Sequence, residues 1–262
     1  AEPDRWLDAD AVLLASGGLS FPRTGSDGTG YALALALGHT LVPPVPALTP
    51  LASEDGVCAA LKGLTLDTEL SLWVEGKRAV TRRGSFLFAH FGCSGPVALD
   101  LSRHWMRAEG AARRVTANFA PGESLESLTA RWTDQSKLSA ATVRRLLGER
   151  LPARLLERLC TEAGVEPGVR VAQVPKPSRA ALLQRVCERD LAVSGTLGYE
   201  KAEVTAGGVT LSEVDPKTLE SRVAPGVFLC GEILHVEGRL GGFNFQWSWS
   251  SGTVAGRAAA SI

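Results

Sequence analysis

The residues with the clearest chemical potential lie near the carboxyl end of the sequence, between Val227 and Gly256. Val227–Cys230 has the length and the β-branched and aromatic content of a buried strand, and Gly231–Glu232 follow where that strand would end. Gly241–Gly242 precede Phe243–Trp249, and the small residues from Ser250 to Ala260 that follow predict a closely packed terminal helix. A carboxylate at a strand end accepts hydrogen bonds from hydroxyl groups, and a helix N-terminus offers free N–H groups and a positive dipole end. These residues alone predict a site for a polar ligand.

Two glycine-containing turns near the start of the sequence are further candidates. Gly17–Gly18 follow a predicted strand, Ala9–Ala15, and their lack of a Cβ either lets the backbone approach a ligand or simply makes a tight turn. Gly25–Gly30 (GSDGTG) lead into a helix predicted from about Gly28 to Leu37. Such a turn either holds a phosphate or is an ordinary connection between strand and helix. The helix is apolar nearly all round, which predicts that it is buried.

A second polar group lies in the segment FLFAHFGCSGPVALDLS. His90 and Ser94 precede Gly95–Pro96, which introduce a helix-like run. Either side chain is able to face a substrate, and His90 is the candidate catalytic acid or base. The alternative is a structural, partly buried histidine, because a single histidine is more often structural than catalytic. No partner at a recognisable spacing completes a Ser–His nucleophile.

The chain between these segments changes character twice. Four prolines between Val42 and Pro50 predict an extended, irregular hinge. From about Leu51 to Ala120 the pattern is that of antiparallel strands, with clear alternation in Leu64–Val74 and a hairpin turn at Glu75–Gly76. From Pro121 to Ala192 leucine and valine recur at helical spacing, with arginine and glutamate outside them, which predicts a helical block.

Polar caps and a glycine pair mark the ends of this region. Ser124, Ser139 and Ser178 are candidate N-caps of its helices. Strands return over Leu191–Leu197 and in the segment that reads EKAEVTAGGV, where Gly207–Gly208 indicate a hairpin or a close approach of two backbones.

Composition narrows the partners and the compartment. Lys and Arg number 28, as do Asp and Glu, so no excess charge points to nucleic acid or to an anionic membrane. No apolar run approaches the roughly 20 residues of a membrane span. The five cysteines are scattered, odd in number and without C-x-x-C, which favours reduced thiols in a cytoplasmic protein and excludes a thioredoxin-reductase-like dithiol. We expect a small-molecule substrate and neither a nucleic-acid nor a membrane partner; the oligomeric state stays open.

Four stretches, taken in order, resemble one protein family. The sequence is similar in them to the bacterial FAD-dependent oxidoreductases that include aminoacetone-oxidase-like and bile-acid-reductase-like flavoproteins. Four ordered matches are far more specific than one glycine motif. The stretches are Ala15–Leu51, Phe86–Ser102, Gly198–Arg222 and Val227–Gly256.

The resemblance implies an α/β fold, α+β overall. Its core is a partial FAD domain of the two-dinucleotide-binding type, formed by residues 1–48 and 200–262. A large insert over residues 49–199 covers the substrate side of the flavin. The insert consists of a β-rich part (49–120) and a helical subdomain (121–192).

The resemblance also implies roles for single residues. Gly17 and Gly18 lie beside the cofactor, and Gly231–Glu232 place a carboxylate against the ribityl chain of FAD. The start of the last helix lies at the pyrimidine edge of the flavin, where its dipole stabilises negative charge on the reduced ring. Catalysis is hydride transfer between a substrate carbon and flavin N5, with NAD(P)H or oxygen recycling the flavin. The residues at the helix start are Gly241, Gly242, Phe243 and Asn244, with Gln246 as a further polar contact.

One departure from the family pattern matters. Such flavoproteins open with G-x-G-x-x-G and an acidic residue about 20 positions later that holds the adenosine ribose. Gly25–Gly30 have the wrong spacing and lack the Lys-Ser/Thr ending of a P-loop. We therefore expect that an N-terminal dinucleotide-binding segment is missing from this sequence. The alternatives are an interaction module that no longer binds FAD, a truncated product that folds poorly because apolar faces are exposed, and a nucleotide-binding protein of another kind.

Overall fold

The computed structural model of this chain describes residues 7–138 and 140–262. It is a mixed α/β structure, as the sequence predicts. Its strands, in chain order, are β1 (Val12–Leu14), β2 (Leu41–Ala47), β3 (Leu51–Ser53), β4 (Thr65–Val74), β5 (Lys77–Ala89), β6 (Gly92–Ser94), β7 (Arg113–Asn118), β8 (Arg189–Asp190), β9 (Val193–Thr196), β10 (Val204–Val209) and β11 (Val227–Leu229).

The helices alternate with these strands at first and then form a block. In chain order they are α1 (Thr29–Ala36), α2 (Gly56–Ala60), α3 (Pro96–Arg107), α4 (Leu125–Gln135), α5 (Val143–Gly148), α6 (Ala153–Glu162), α7 (Lys176–Cys187) and α8 (Phe243–Ala259). Among residues 7–138 and 140–262, no helix is both long enough and apolar enough to cross a membrane.

The chain divides into two compact units. The split unit combines Ala1–Thr49 with Leu197–Ile262, and the inserted unit is Pro50–Thr196. Each unit has its own hydrophobic core.

The split unit contains two small two-stranded sheets with helices α1 and α8. Strand β1 pairs in parallel with β11, and β2 pairs in antiparallel fashion with β10. Its core is built around Tyr31, Phe228, Leu229 and Ile233, which are at most 5% exposed. The end of β11 therefore rests on a packed base, and α8 meets this core through Trp247 and Ala255, while Phe243 and Phe245 at its start are exposed.

Helix α1 is buried on one side only, whereas its apolar sequence predicts burial all round. Gly30, Tyr31 and Ala34 are buried. Leu33 and Leu35 on its other side are 50% and 52% exposed. The prediction from the apolar pattern is wrong because only one side of the helix meets neighbouring elements of the split unit.

The proline-rich segment is extended, as predicted, but its first part is a regular strand and not irregular. Leu41–Ala47 form strand β2, which within the described residues is an edge strand of a two-stranded sheet with β10. Proline is tolerated on edge strands because the missing N–H can face away from the partner. The pairing is interrupted by a bulge between Ala206 and Gly208 of β10. The glycine pair thus marks a bulge with a close backbone approach, not a hairpin.

The inserted unit is built on one antiparallel sheet with the strand order β8-β7-β4-β5-β6-β3-β9. Strands β4 and β5 form its long central hairpin, and Glu75 and Gly76 make the predicted turn with φ of 49° and 73°. Two successive residues with positive φ are the mark of a type I′ hairpin. Helix α3 packs on the sheet through Val97, Leu101 and Trp105, all at most 3% exposed.

The helical block begins at the predicted cap. The Ser124 side chain accepts a hydrogen bond from the Ser127 N–H at 3.0 Å, and Ser127 Oγ reciprocates, which is a capping box. The prediction for Ser178 is wrong, because it lies inside α7, whose N-cap is Pro175. Proline at the helix start already supplies a residue without an N–H, so no serine cap is needed there. Ser139 lies outside the described residues.

Candidate functional site

Glu232 lies where the sequence predicts, in a short 3-10 turn (Gly231–Ile233) directly after β11. Its Oε1 accepts a hydrogen bond from the backbone N–H of Thr205 at 3.0 Å. Thr205 belongs to β10, so the carboxylate is held against a neighbouring strand. The turn itself is anchored by α8, because the indole N–H of Trp247 donates to the Gly231 carbonyl at 3.0 Å.

Thr205 is the residue that sequence reasoning missed. It is fully buried, and its Oγ1 accepts hydrogen bonds from the backbone N–H groups of Leu19 and Ser20 at 2.8 and 3.1 Å. With both acceptor positions used, its own hydroxyl proton is directed to another acceptor. Thr205 therefore connects the glycine turn after β1 to the Glu232 carboxylate. In the sequence Thr205 is marked only by the two glycines that follow it closely. That pattern does not indicate its distant hydrogen-bond partners.

The electrostatic state of Glu232 follows from its position. Burial raises the pKa of the Glu232 carboxyl, and the hydrogen bonds from Thr205 only partly offset that effect. Burial, with the nearby Glu232 carboxylate as a second cause, also raises the pKa of the Tyr31 phenol, which keeps that hydroxyl protonated. A raised pKa means that the charged carboxylate is disfavoured in the folded state. When no ligand donates hydrogen bonds to it, the charged Glu232 therefore lowers the stability of the split unit.

We expect Glu232→Gln to stabilise the ligand-free chain at neutral pH, on the order of 1 kcal/mol or less. The folded-state pKa of Glu232 is raised, so the folded wild type binds more protons than the unfolded chain and loses stability as pH rises from the ordinary glutamate value. Glutamine keeps the carbonyl acceptor for Thr205 and carries no charge. Thermal melts from pH 4 to 8 should show the two proteins converging towards acid pH. A difference that is constant across this range would contradict the assignment.

The two glycines of the first turn also lie at Glu232. A Cβ on Gly18 would stand 2.4 Å from both Glu232 Oε1 and Thr205 Oγ1, a distance that no real Cβ contact has. Gly17 has φ of +74°, a conformation that favours glycine. Gly18 is therefore needed for the Glu232–Thr205 contact itself, and Gly17 for the turn that delivers it.

The second glycine pair opens α8, as predicted. Gly241 and Gly242 have φ of 126° and 83°, and Gly242 is the N-cap residue without a side-chain cap. No side chain among residues 7–138 and 140–262 thus caps the first N–H groups of this 17-residue helix. A cavity of about 140 Å³ lies in front of them, lined by Leu48, Glu203, Val204, Glu232, Leu240, Gly241, Gly242, Asn244, Phe245 and Ser248. The structure therefore brings Glu232 together with the start of α8.

The remaining predicted residues on α8 are placed differently. The Asn244 side chain lines the cavity, but its amide is engaged with Gly238, accepting from the N–H at 2.7 Å and donating to the carbonyl at 3.2 Å. Gln246 donates to Ser250 Oγ at 2.8 Å along the exposed side of the helix. Phe243 is 49% exposed, with the Arg239 guanidinium 5.1 Å from its ring centre. Neither Phe243 nor Gln246 is among the lining residues of the cavity.

His90 lies in the inserted unit, in the two-residue turn between β5 and β6. It is exposed, where the structural alternative expected partial burial, and its ring meets Phe91 edge to face with centroids 5.0 Å apart. Ser94 is the last residue of β6 and is half-buried. Among the described residues there is no group of three or more His, Cys, Asp or Glu side chains suited to a metal ion.

A Ser–His–Glu arrangement occurs elsewhere in the split unit. His39 Nε2 lies 2.9 Å from Ser221 Oγ, and His39 Nδ1 lies 3.0 Å from Glu213 Oε2. Ser221 Oγ also accepts the backbone N–H groups of Val223 at 3.0 Å and Ala224 at 2.7 Å. With both lone pairs occupied and only 5% of Ser221 exposed, the hydroxyl is a turn-forming group and not a nucleophile.

Comparison with known proteins places the chain in a family. Residues 2–258 match the family described as the HI0933-like protein Rossmann domain, and the chain belongs to that family. The chain is 38% identical over 256 residues to the 3-dehydro-bile acid delta(4,6)-reductase of Clostridium scindens, a match that covers 96% of this chain and 62% of the relative.

Two further relatives carry a different name. The chain is 33% identical over 245 residues to the ribosomal RNA dihydrouridine synthase of Escherichia coli, covering 94% of this chain and 59% of the relative. It is 33% identical over 244 residues to the enzyme of that name from Haemophilus influenzae, covering 92% and 58%. The chain thus spans about three fifths of the length of each of these relatives.

Proposed function

We propose that this chain supplies the flavin side of an FAD-dependent oxidoreductase. The observation that carries the proposal is the cavity shared by the Glu232 carboxylate and the uncapped start of α8. Family membership and the reductase and synthase names of the relatives support it.

The donor and acceptor set fits the polar part of a flavin cofactor. A half-buried carboxylate accepts hydrogen bonds from the hydroxyls of a ribityl chain. The free N–H groups and dipole of α8 favour an anionic ring edge. Because cofactor pockets usually measure about 300–1,000 Å³, a cavity of about 140 Å³ fits this polar part alone. No G-x-G-x-x-G occurs in the sequence, so the proposal assigns no residue to the adenosine half.

In this site FAD would supply hydride transfer at the flavin, and the protein would bind, orient and exclude water. Glu232 would fix the ribityl chain while Thr205 holds the carboxylate in place, with Gly17 and Gly18 allowing the backbone to come close. The start of α8 would stabilise charge at the ring. His90, an exposed histidine at a hairpin turn, is the proposed proton donor or acceptor for the substrate.

The names of the relatives suggest a common substrate class. A 3-dehydro-bile acid delta(4,6)-reductase and a dihydrouridine synthase are both named for reduction of a carbon–carbon double bond. We propose the same class of reaction here, with NAD(P)H as electron donor. The balanced charge of the chain favours a small-molecule substrate. Because two relatives are named for a reaction on ribosomal RNA, any activity assay should also test ribosomal RNA as a substrate.

The proposed division of labour gives residues 1–48 and 200–262 to the cofactor and 49–199 to the substrate. We also propose a cytoplasmic location, since all five cysteines are free thiols.

The direct test is FAD retention by the purified chain. After incubation with FAD and desalting, we expect flavin absorption bands at roughly 375 and 450 nm to remain with the protein. Glu232→Ala should weaken FAD binding about tenfold or more, because it removes a charge-assisted hydrogen-bond acceptor. Glu200→Ala is the matched control, since Glu200 lies in the same unit in a surface ion pair with Arg23 whose side chains are 58% and 89% exposed.

A chain that retains no flavin colour after incubation with saturating FAD and desalting would contradict the proposal. The interaction-module alternative would then account better for the fold. If FAD is retained, NADPH-dependent reduction of a 3-oxo-4,6-diene steroid and of a ribosomal RNA transcript should be compared on the loaded chain.

A further inference from the structure

Two cysteines of the inserted unit lie in direct contact. Cys58, in α2, and Cys93, in β6, have their Sγ atoms 3.7 Å apart. They are 1% and 0% exposed and are separated by 35 positions in the sequence. A disulfide requires an S–S distance of about 2.05 Å, so a modest movement of the two side chains would bring the sulfurs into bonding range.

The surroundings make the two thiols unequal. The hydrogen-bonding contact with Cys93 lowers the pKa of Cys58 more than burial raises it. The nearby Arg189 guanidinium acts in the same direction, and Asp55 opposes it. The same contact, with burial, raises the pKa of Cys93. Cys58 is therefore the more acidic of the two thiols, and its S–H also donates to Ser53 Oγ at 3.8 Å.

The other cysteines differ. Burial raises the pKa of Cys160 and of Cys187 to about 11, so both remain thiols at neutral pH. Burial likewise raises the pKa of Cys230. A metal does not explain the Cys58–Cys93 pair, because no cluster of three or more ligating side chains occurs in the described part of the chain.

We propose that Cys58 and Cys93 form a reversible peroxide-responsive disulfide, with Cys58 as the attacking sulfur and Cys93 as the resolving one. The proposal does not depend on FAD binding. Its oxidant is hydrogen peroxide or a small organic hydroperoxide, which reaches Cys58 when the five-residue helix α2 opens locally.

The chemistry balances in two steps. The Cys58 thiolate attacks one peroxide oxygen, the O–O bond breaks, and the products are a sulfenic acid on Cys58 and hydroxide, which takes up a proton to become water. Cys93 sulfur then attacks the Cys58 sulfur, the S–O bond breaks, and a second water leaves as the disulfide forms. Two thiols are oxidised by two electrons and one peroxide is reduced to two waters. A dithiol reductant reverses the change.

The disulfide would tie α2 to β6. Strand β6 follows the His90–Phe91 turn and contains Ser94, so the bond would fix the segment that carries both polar candidates of the inserted unit. Oxidation would thus alter the mobility of this turn without changing any residue in it.

Peptide mapping tests the proposal directly. After treatment with hydrogen peroxide, quenching and alkylation under denaturing conditions, trypsin releases peptides 24–62 and 84–103, which contain Cys58 and Cys93 and no other cysteine. We expect these two peptides to become linked in more than about half of the molecules, with the link lost after a dithiol reductant. Cys187→Ser should leave the link unchanged.

Serine variants separate the two roles. Cys93→Ser should accumulate a sulfenic acid on Cys58 that dimedone traps, whereas Cys58→Ser should leave Cys93 unlabelled. Serine is close in size to cysteine, and unchanged thermal melts would show that both variants fold. Recovery of both cysteines as free thiols, under peroxide concentrations that oxidise Cys187, would overturn the proposal. Labelling of Cys93 in place of Cys58 would overturn the assignment of roles.

Discussion

Replacing Arg189 with alanine is expected to lower the free energy of unfolding of the inserted unit by about 3–5 kcal/mol. Arg189 Nε and Nη2 each donate to Asp55 at 2.7 Å, and Nη1 donates to Glu162 at 2.6 Å. The side chains of the three residues are 12%, 9% and 20% exposed. Glu162 would keep its ion pairs with Arg158 and Arg185. Removal of the guanidinium would, however, leave the buried Asp55 carboxylate without its charged partner, which costs far more than the loss of a surface ion pair.

The effect should depend on pH in a defined direction. Burial works to raise the pKa of Asp55, but the hydrogen bonds from Arg189 and from the Val57 N–H outweigh it and hold that pKa below its ordinary value. A lowered folded-state pKa contributes stability above the ordinary aspartate pKa, and this is lost as pH falls through the lowered value. The difference between wild type and Arg189→Ala should therefore shrink below about pH 4.

Urea denaturation at pH 7 and at pH 3, followed by hydrogen exchange of peptides from the inserted unit, measures this difference. The matched control is Arg83→Ala, which removes a pair with Asp67 whose side chains are 57% and 52% exposed. We expect less than about 1 kcal/mol for the control. Equal losses for the two variants would show that the buried network contributes no more than a surface pair.

The Arg189 network illustrates what the sequence does not reveal. Local signals predicted the hairpin at Glu75–Gly76 and the cap at Ser124 because the residues that decide them are within four positions of each other. Arg189 and Asp55 are 134 positions apart, so no spacing rule joins them. In the sequence, Arg189 lies in a run of charged residues, a pattern typical of a solvated surface. Only the fold of the inserted unit shows that Asp55 and Glu162 contact it.

The same division applies to the candidate site. The order of strand, carboxylate, glycine pair and helix placed Glu232 and Gly242 near each other, because β11 and α8 are neighbours in sequence as well as in space. Thr205 was not predicted because its hydroxyl bonds Leu19, 186 positions away. The apolar pattern of α1 was misleading for a related reason: periodicity reports composition, and burial depends on which elements surround the helix.

Replacing Gly208 with alanine is expected to lower the free energy of unfolding of the split unit by about 3 kcal/mol or more. Gly208 has φ of +118°, and a Cβ there would lie 2.5 Å from the Ile233 carbonyl oxygen and 3.1 Å from the Leu234 carbonyl carbon. Both contacts are with backbone, which has no rotamer to change. Because the displaced segment is the turn that carries Glu232, FAD retention should fall together with stability.

Substitutions at two other glycines of the split unit distinguish the cost of a positive φ from the cost of a steric clash at Cβ. Gly226 has φ of +78° but its Cβ would meet only the Asp10 carbonyl oxygen at 3.4 Å, so Gly226→Ala should cost about 1 kcal/mol from backbone strain alone. Gly252 lies inside α8 with no atom within 4 Å of a Cβ, so Gly252→Ala should stabilise by about 0.5–1 kcal/mol. Melting temperatures should therefore fall in the order Gly252→Ala, wild type, Gly226→Ala, Gly208→Ala. A contrary result would be that Gly208→Ala has the melting temperature of Gly226→Ala and retains as much FAD as the wild type. The close approach of β10 to the Glu232 turn would then not determine the site. The contact of Trp247 in α8 would be what holds the turn.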